Sequence, residues 1–247
     1  MKFYESPAYS EWCKRVYGFD LKQMGMITMS ELELFFNEVK LPPMANILDV
    51  GCCAGNMSDY ISKHYNAYVT GIDIDQAAIN YAKERFATNK YLSFQVMDLN
   101  ELQFESNSFD VIYWFDTLYF TRSIVDLRSA LDKSMKILKP DGKLVVFWVN
   151  FPKMYEMPEP SADNTQVGIW CNDNNIKFQS FDLTTQIRNF YNQAIQTLHD
   201  LEAQLMFEIP EHCISMLQEF SEMAEMCEKG DESGIYRWLY IIKGGRG

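Results

Sequence analysis

A glycine-rich turn and an acidic residue about 20 positions further on are the features of this sequence best suited to chemistry. Residues 49–55 read Asp-Val-Gly-Cys-Cys-Ala-Gly. Glycines at a strand-to-helix turn let a ligand approach the backbone, and the following helix supplies unpaired N–H groups. Asp73 ends a second apolar run, where a carboxylate can accept from both hydroxyls of a ribose. A tight turn without a ligand, and a solvated strand end at Asp73, remain alternatives; Asp75 is better placed to cap a helix.

Short apolar runs alternate with helical spacing around these residues, which predicts an α/β fold with a parallel sheet covered on both faces. A turn is predicted at 139–142, Lys-Pro-Asp-Gly. Strands are predicted at 46–50, 68–73, 92–97, 109–115 and 143–149, and helices at 57–65, 75–86 and 123–138.

Helical spacing returns on either side of this alternating region. Two helices are expected within 1–40, the second capped by Ser30. A short helix at 162–171, a strand at 176–183, helices at 185–207 and 211–229 and a last strand at 235–242 complete the chain. The expected units are an N-terminal helical cover at 1–41, a core at 42–182 and 234–243, and a helical insert at 183–233.

Charge and cysteine content exclude several functions. The 247 residues include 22 Lys and Arg against 34 Asp and Glu, a net charge of −12. Binding to nucleic acid or to an anionic membrane surface needs the opposite sign. The six cysteines form no Cys-x-x-Cys pair, so we expect no metal. Without a membrane-spanning run or a secretory signal, a cytoplasmic location with reduced thiols is expected.

Six short segments, in this order and spacing, resemble the core of class I S-adenosylmethionine-dependent methyltransferases. They are Ile-Leu-Asp-Val-Gly-Cys-x-x-Gly at 47–55, Gly-Ile-Asp at 71–73, Met-Asp-Leu at 97–99, Phe-Asp-Val-Ile at 109–112, Leu-Tyr-Phe at 118–120 and Ile-Leu-Lys-Pro-x-Gly-x-Leu-Val at 137–145. The resemblance implies a Rossmann-like, doubly wound, mostly parallel seven-stranded sheet with an antiparallel last strand and a helical lid. It also implies S-adenosylmethionine as cofactor and S-adenosylhomocysteine as product.

The resemblance further implies which residues contact the methionine part of the cofactor. Gly51 and Gly55 would flank it, and Asp49 would orient the turn and the amino end. The carbonyl of Phe115 would face the ammonium group. Tyr17 is a weaker candidate for a contact from the N-terminal cover, as is Met24.

At the adenosine end, Asp73 would hold the ribose hydroxyls and Ile74 would pack on the adenine. Asp98 would accept from the adenine amino group, and the N–H of Leu99 would meet a ring nitrogen. The implied set of cofactor contacts is Asp49, Gly51, Cys52, Gly55, Asp73, Ile74, Asp98, Leu99, Phe115 and Tyr17.

Two positions depart from the family pattern. Cys53 stands where the family usually has glycine, and a positive φ there would strain a residue with a Cβ. Leu118-Tyr119 replaces a frequent Leu-His pair, which removes an obvious general base. Methyl transfer needs no base when the acceptor is already nucleophilic, because alignment of donor and acceptor then suffices.

Asp116, Tyr119 and His199 are the catalytic candidates, with Trp148 and Tyr155 as further residues near the expected acceptor. Each also fits a plain structural role: a polar strand end, core aromatics, or a histidine on a helix surface.

The favoured function is methyl transfer to an O, N or C atom of a small molecule, by a monomer or homodimer. The alternatives are an RNA or protein acceptor, and a regulatory module that binds S-adenosylmethionine without turnover. A nicotinamide-dependent reductase ranks low, because the turn lacks a full Gly-x-Gly-x-x-Gly pattern.

Overall fold

The computed structural model describes residues 1–151, 159–230 and 234–245. These residues form seven β-strands, eight α-helices and three short 3₁₀ helices. The strands are β1 Asn46–Val50, β2 Tyr68–Asp73, β3 Leu92–Val96, β4 Phe109–Phe115, β5 Leu138–Asn150, β6 Phe178–Asp182 and β7 Tyr236–Lys243. The α-helices are α1 Pro7–Tyr17, α2 Met29–Glu38, α3 Asn56–Tyr65, α4 Gln76–Arg85, α5 Ile124–Ile137, α6 Gln166–Asp173, α7 Thr184–Glu208 and α8 Pro210–Cys227. The 3₁₀ helices are Phe3–Glu5, Leu118–Phe120 and Ala162–Asn164.

All seven strands form one sheet in the order β3-β2-β1-β4-β5-β7-β6. Strands β1 to β5 pair in parallel, and β7 is antiparallel to both of its neighbours. The predicted fold class is confirmed. Because the winding direction reverses between β1 and β4, the carboxyl ends of these strands border the crevice where such sheets bind ligands.

Two local predictions were wrong. Residues 139–142 lie inside β5, not in a separate turn: Phe109 pairs with Leu138 and Val111 with Lys143, so β5 carries extra residues as an irregularity within the strand. The N-cap residue of α2 is Thr28, not Ser30, because the Glu31 carboxylate accepts the Thr28 backbone N–H in a capping box.

Two apolar layers cover the sheet. Buried residues of α5 and α6 pack on one face, and those of α2 and α3 pack on the other. A third apolar cluster is formed by α1, α7 and α8, which we call the cap, together with Val149 of β5 and Ile235. Among the described residues, no helix combines the length and apolarity that a membrane crossing requires.

Candidate functional site

The glycine turn between β1 and α3 leaves no room for larger residues at two positions. Gly51 and Gly55 have φ values of +83° and +77°. A Cβ on Gly51 would lie 2.3 Å from Cγ2 of Thr117, and one on Gly55 would lie 2.6 Å from the Phe94 ring. The turn is therefore packed tightly between the ends of β3 and β4, with its backbone beside the crevice.

The two cysteines of this turn have structural surroundings. Cys53 takes a φ of +47°, so of the two possibilities for this position the strained one is present. Its side chain packs beside Tyr4, and burial raises the pKa of its thiol to about 12. Cys52 is buried against Gly71, where a Cβ would lie 2.7 Å from its Sγ. Both thiols stay protonated near neutral pH, which argues against nucleophilic chemistry.

Asp73 is held at the tip of β2 by two backbone groups. Its Oδ2 accepts the Cys53 N–H at 2.9 Å, and its Oδ1 accepts the Asp75 N–H at 2.9 Å. Each oxygen keeps a further lone pair, and Ile74 beside it is 70% exposed. Asp75 caps α4 through the Ala77 N–H, as predicted. The carboxylate is thus oriented in advance beside an uncovered apolar side chain.

Asp49 is a buried carboxyl group at the carboxyl end of β1. The Ser58 hydroxyl donates to it at 2.6 Å, yet burial raises its pKa to about 6. Among the described residues no cationic side chain pairs with it. A mostly ionised and unneutralised carboxylate at the crevice suits a positively charged ligand group.

Asp98 follows β3 and is already engaged. Its Oδ1 accepts both the backbone N–H and the side-chain amide of Asn100 at 2.8 Å, and these bonds lower its pKa. Its Oδ2 accepts from Arg122 at 2.5 Å. Any donor that reaches Asp98 must share or displace this guanidinium. Sequence reasoning missed Arg122, which lies just beyond the Leu118–Phe120 3₁₀ helix, and Leu99 packs against the apolar layer under α5.

The end of β4 holds a buried charge cluster. Asp116 has a φ of +57° and binds Arg237 through two contacts of 2.6 and 3.1 Å. Arg237 also donates to Glu31 at 2.7 Å, while the Met26 N–H donates to Asp116 at 2.7 Å. Sequence reasoning missed Arg237 and Glu31. The available signal was a charged residue inside an apolar strand, which is rare unless it is paired.

Of the other catalytic candidates, Tyr119 lies beside Asp116 and His199 does not. Tyr119 is partly buried, with its hydroxyl 3.4 Å from Asp116 and its ring 5.1 Å from that of Trp148. It also accepts the Val149 N–H. His199 lies on the surface of α7, with its side chain 59% exposed and 3.5 Å from Glu202. The structure therefore brings Asp116 and Tyr119 together but not His199. Tyr155 lies outside the described residues.

Residues 19–28, which we call the strap, link α1 to α2 next to this crevice. The Tyr17 hydroxyl donates to Gly25 at 2.7 Å, and Asn56 at the start of α3 donates to Leu21 at 3.0 Å. Met24 is largely exposed. The ring of Phe115 stacks on Tyr113 beneath α2. Through Asn56 and Asp116, the strap is hydrogen-bonded to elements on both sides of the glycine turn.

Within the described ranges, no group of three His, Cys, Asp or Glu side chains is arranged to hold a metal ion. The polar groups described at this edge are carboxylates, hydroxyls, backbone N–H donors and the Arg122 guanidinium paired with Asp98. Because the carboxylates attract hydrogen-bond donors and positive charge and repel a polyphosphate, this set suits a ligand with ribose hydroxyls and a positive charge.

Comparison with known proteins finds a matching domain family and similar relatives. Residues 48–146 match the methyltransferase domain family. Phosphoethanolamine N-methyltransferase of Plasmodium falciparum is 30% identical over 147 residues, which are 58% of this chain and 54% of that protein. The chain therefore spans about half the length of this curated relative.

Two solved structures share the architecture. Phosphoethanolamine N-methyltransferase 2 of Haemonchus contortus, in complex with phosphomonomethylethanolamine and S-adenosylhomocysteine, superimposes with a TM-score of 0.74 at 13% identity, covering 99% of this chain and 60% of that one. The cyclopropane synthase MmaA2 of Mycobacterium tuberculosis gives 0.72 at 12% identity, covering 95% and 94%. At such identities these likenesses establish a shared fold.

Proposed function

We propose that the chain, whose residues 48–146 match the methyltransferase domain family, transfers a methyl group from S-adenosylmethionine to a small-molecule acceptor. One observation carries the proposal: the glycine turn, the oriented Asp73 and the unneutralised Asp49 lie together at the carboxyl ends of β1 and β2. When bound, the cofactor supplies an electrophilic sulfonium methyl group, and S-adenosylhomocysteine is left as product.

The roles of the site residues follow from their placement. Asp73 would accept the ribose hydroxyls, because both of its oxygens are oriented by backbone N–H groups and keep free lone pairs. Ile74 would cover one face of the adenine. Asp49 would balance the positive charge of the ligand, with Gly51 and Gly55 allowing close approach. Asp98 would take the adenine amino group in competition with Arg122.

A small acceptor is favoured by the surface charge and by the cover above the crevice. The net charge of −12 disfavours a polyanionic acceptor such as RNA. We propose that residues 1–41 and 183–233 act as a cover and a lid over the acceptor, because the helices of the cap pack together with Val149 of β5. Several relatives are named for phosphoethanolamine, so this amine is the first acceptor to test.

The catalytic roles of Asp116, Tyr119 and His199 stay predictions. Loss of solvation raises the pKa of the Tyr119 hydroxyl well above the ordinary value, so Tyr119 would serve as a hydrogen-bonding group instead of a base. Alignment of the acceptor with the methyl group would then supply most of the rate enhancement.

Calorimetry with S-adenosylhomocysteine tests cofactor binding. Asp73→Ala should weaken affinity about 100-fold, because two hydrogen bonds to a charged acceptor are lost. Asp182→Ala is a matched control: Asp182 also ends a strand and accepts the N–H two residues later, but at the far edge of the sheet. No binding by the unmodified chain at hundreds of micromolar, or equal affinity of both variants, would refute the proposed site.

Turnover is tested separately by mass spectrometry of amines, hydroxylated and carbon-acid metabolites incubated with S-adenosylmethionine and the chain. A mass gain of one methyl group in phosphoethanolamine or another metabolite is the expected result. Stoichiometric cofactor binding without any methylated metabolite would instead support the regulatory module, and labelling of RNA or protein would redirect the acceptor class.

A further inference from the structure

Three charged side chains that are far apart in the sequence meet in the interior. Arg237 of β7 is 0% exposed, Glu31 of α2 is 2% exposed, and Asp116 after β4 is 5% exposed. Burial works to lower the pKa of Arg237, but the two carboxylates raise it above its ordinary value, so the guanidinium stays charged. Such a cluster contributes little net stability compared with apolar residues, whereas breaking it is costly. Its presence therefore calls for a reason other than stability.

The cluster connects the strap to the glycine turn. Asp116 accepts the Met26 N–H of the strap, and Gly25 passes so close that a Cβ there would lie 3.0 Å from Oδ2 of Asp116. The next residue, Thr117, donates its hydroxyl to the Val50 carbonyl at 2.9 Å and places its methyl group against Gly51. A displacement of Asp116 would therefore be felt on both sides of the crevice.

Glu31 fixes the other end of the strap. One carboxylate oxygen accepts from Arg237, and the other accepts the N–H and the hydroxyl of Thr28, at 2.8 and 3.1 Å. Thr28 is the last residue of the strap and the N-cap residue of α2. The strap is thus tied to the same guanidinium at Met26, through Asp116, and at Thr28, through Glu31.

The contacts of Asp116 leave it no free acceptor site. Its Oδ1 faces Arg237 and the Tyr119 hydroxyl, and its Oδ2 faces Arg237 and the Met26 N–H. A carboxylate has about four lone-pair positions, of which three receive N–H donors from Arg237 and Met26. The fourth is covered by the Tyr119 hydroxyl, whose single proton is shared between Asp116 at 3.4 Å and the Phe147 carbonyl at 3.5 Å. A base that takes a proton from an acceptor needs one of them open.

We infer that Asp116, Glu31 and Arg237 form a positioning cluster that sets the strap against the glycine turn, and that Asp116 acts in this way instead of by proton transfer. The inference rests on the proposed function for its consequence, which is cofactor affinity, but its structural part stands without a ligand. The cluster contains one positive and two negative side chains. Replacing either carboxylate by its amide therefore leaves one ion pair with Arg237, so the substitution does not strand a buried charge.

The test compares amide hydrogen exchange and S-adenosylhomocysteine affinity in the 247-residue chain. Asp116→Asn should speed exchange of the strap amides at least tenfold without ligand and weaken affinity about tenfold. Leu131→Ala is the control, because Leu131 is a buried residue of α5 in a different apolar layer and its truncation lowers stability without touching the strap. Strap exchange in this variant should rise only in step with the rest of the chain.

The outcomes separate the readings. The inference is overturned if strap exchange in Asp116→Asn matches that in Leu131→Ala at equal stability. It is also overturned if the unmodified chain binds S-adenosylhomocysteine and a folded Asp116→Asn variant binds it with the same affinity. If Asp116→Asn does not fold, Glu31→Gln decides by the same exchange criterion, with at least threefold acceleration at residues 26–28 expected. If the unmodified chain binds no cofactor, the proposed function fails, while the ligand-free exchange still decides the inference.

Discussion

The sheet and the cap are both apolar inside but are built in different ways. The sheet interior packs aliphatic residues and rings such as Trp114 and Trp148 on hydrogen-bonded strands whose register is set by the backbone. The cap interior is rich in aromatic rings from three helices, such as Trp12 and Phe220, which stack 5.6 Å apart at an interplanar angle of 6°. The site residues with backbone-defined geometry lie on the sheet, whereas the cap depends on contacts between side chains distant in the sequence.

The joint between these regions is partly polar. At this joint the Arg237 backbone N–H of β7 donates to the Thr184 hydroxyl at the start of α7 at 3.2 Å. Within the cap, Glu208 of α7 accepts from the Ser6 hydroxyl and the Ala8 N–H at the start of α1. Directional bonds specify one arrangement where apolar contacts alone would allow several. Because the cap depends on contacts between side chains, we expect it to loosen while the sheet, with the residues proposed to bind the cofactor, stays folded.

The largest expected effects separate the regions through two buried tryptophans. Trp12 of the cap donates to the Ala194 carbonyl and Trp114 of β4 donates to Ser134, each at 3.2 Å. Replacing either by alanine should cost about 3–5 kcal/mol. Hydrogen exchange should quicken throughout the chain for Trp114→Ala, but chiefly in α1, α7 and α8 for Trp12→Ala. Uniform exchange in both variants would show that the cap and sheet unfold as one unit.

An effect of about 3 kcal/mol is expected from Asp49, since its pKa of about 6 lies above the ordinary 3.8. A raised carboxyl pKa means that the folded state holds the proton more tightly. The stability due to this group is therefore present below about pH 4 and is lost as pH rises to about 6. Urea unfolding from pH 4 to 7 should show this loss in the unmodified chain and not in Asp49→Asn.

A matched variant in the cap sharpens that measurement. Burial also raises the pKa of Glu219 on α8, but this residue remains open to solvent. Glu219→Gln should therefore alter the pH dependence of stability less than Asp49→Asn does. An equal change in both variants would contradict the view that uncompensated charge is concentrated at the carboxyl end of β1.

The smallest effect is expected at Cys53, where two terms offset each other. Cys53→Gly relieves the strain of a positive φ, worth about 1 kcal/mol, but removes side-chain packing beside Tyr4 of about the same size. The free energy of unfolding should then change by less than about 0.5 kcal/mol. Cys53→Ala loses packing without relieving strain, so it should be the less stable variant in thermal denaturation.

Much of the sheet could be predicted because its signals are local. Alternating apolar runs located β1 to β4 to within a residue, and the side chains of Asp75 and Ser123 cap α4 and α5 as expected. The irregular start of β5 was missed, because a Pro-Asp-Gly segment favours a turn while pairing with β4 extends the strand. Local preference predicts structure well only where neighbouring strands do not override it.

The sequence by itself determined the order of the elements, the glycine turn and the carboxylate at the tip of β2, because short-range spacing and backbone conformation specify them. Only the tertiary structure decided that Asp116 meets Arg237 and Glu31, or that Arg122 occupies Asp98. Asp116 and Arg237 are 121 positions apart. A pair at such a separation leaves no periodic trace, since it forms only when packing removes both charges from water.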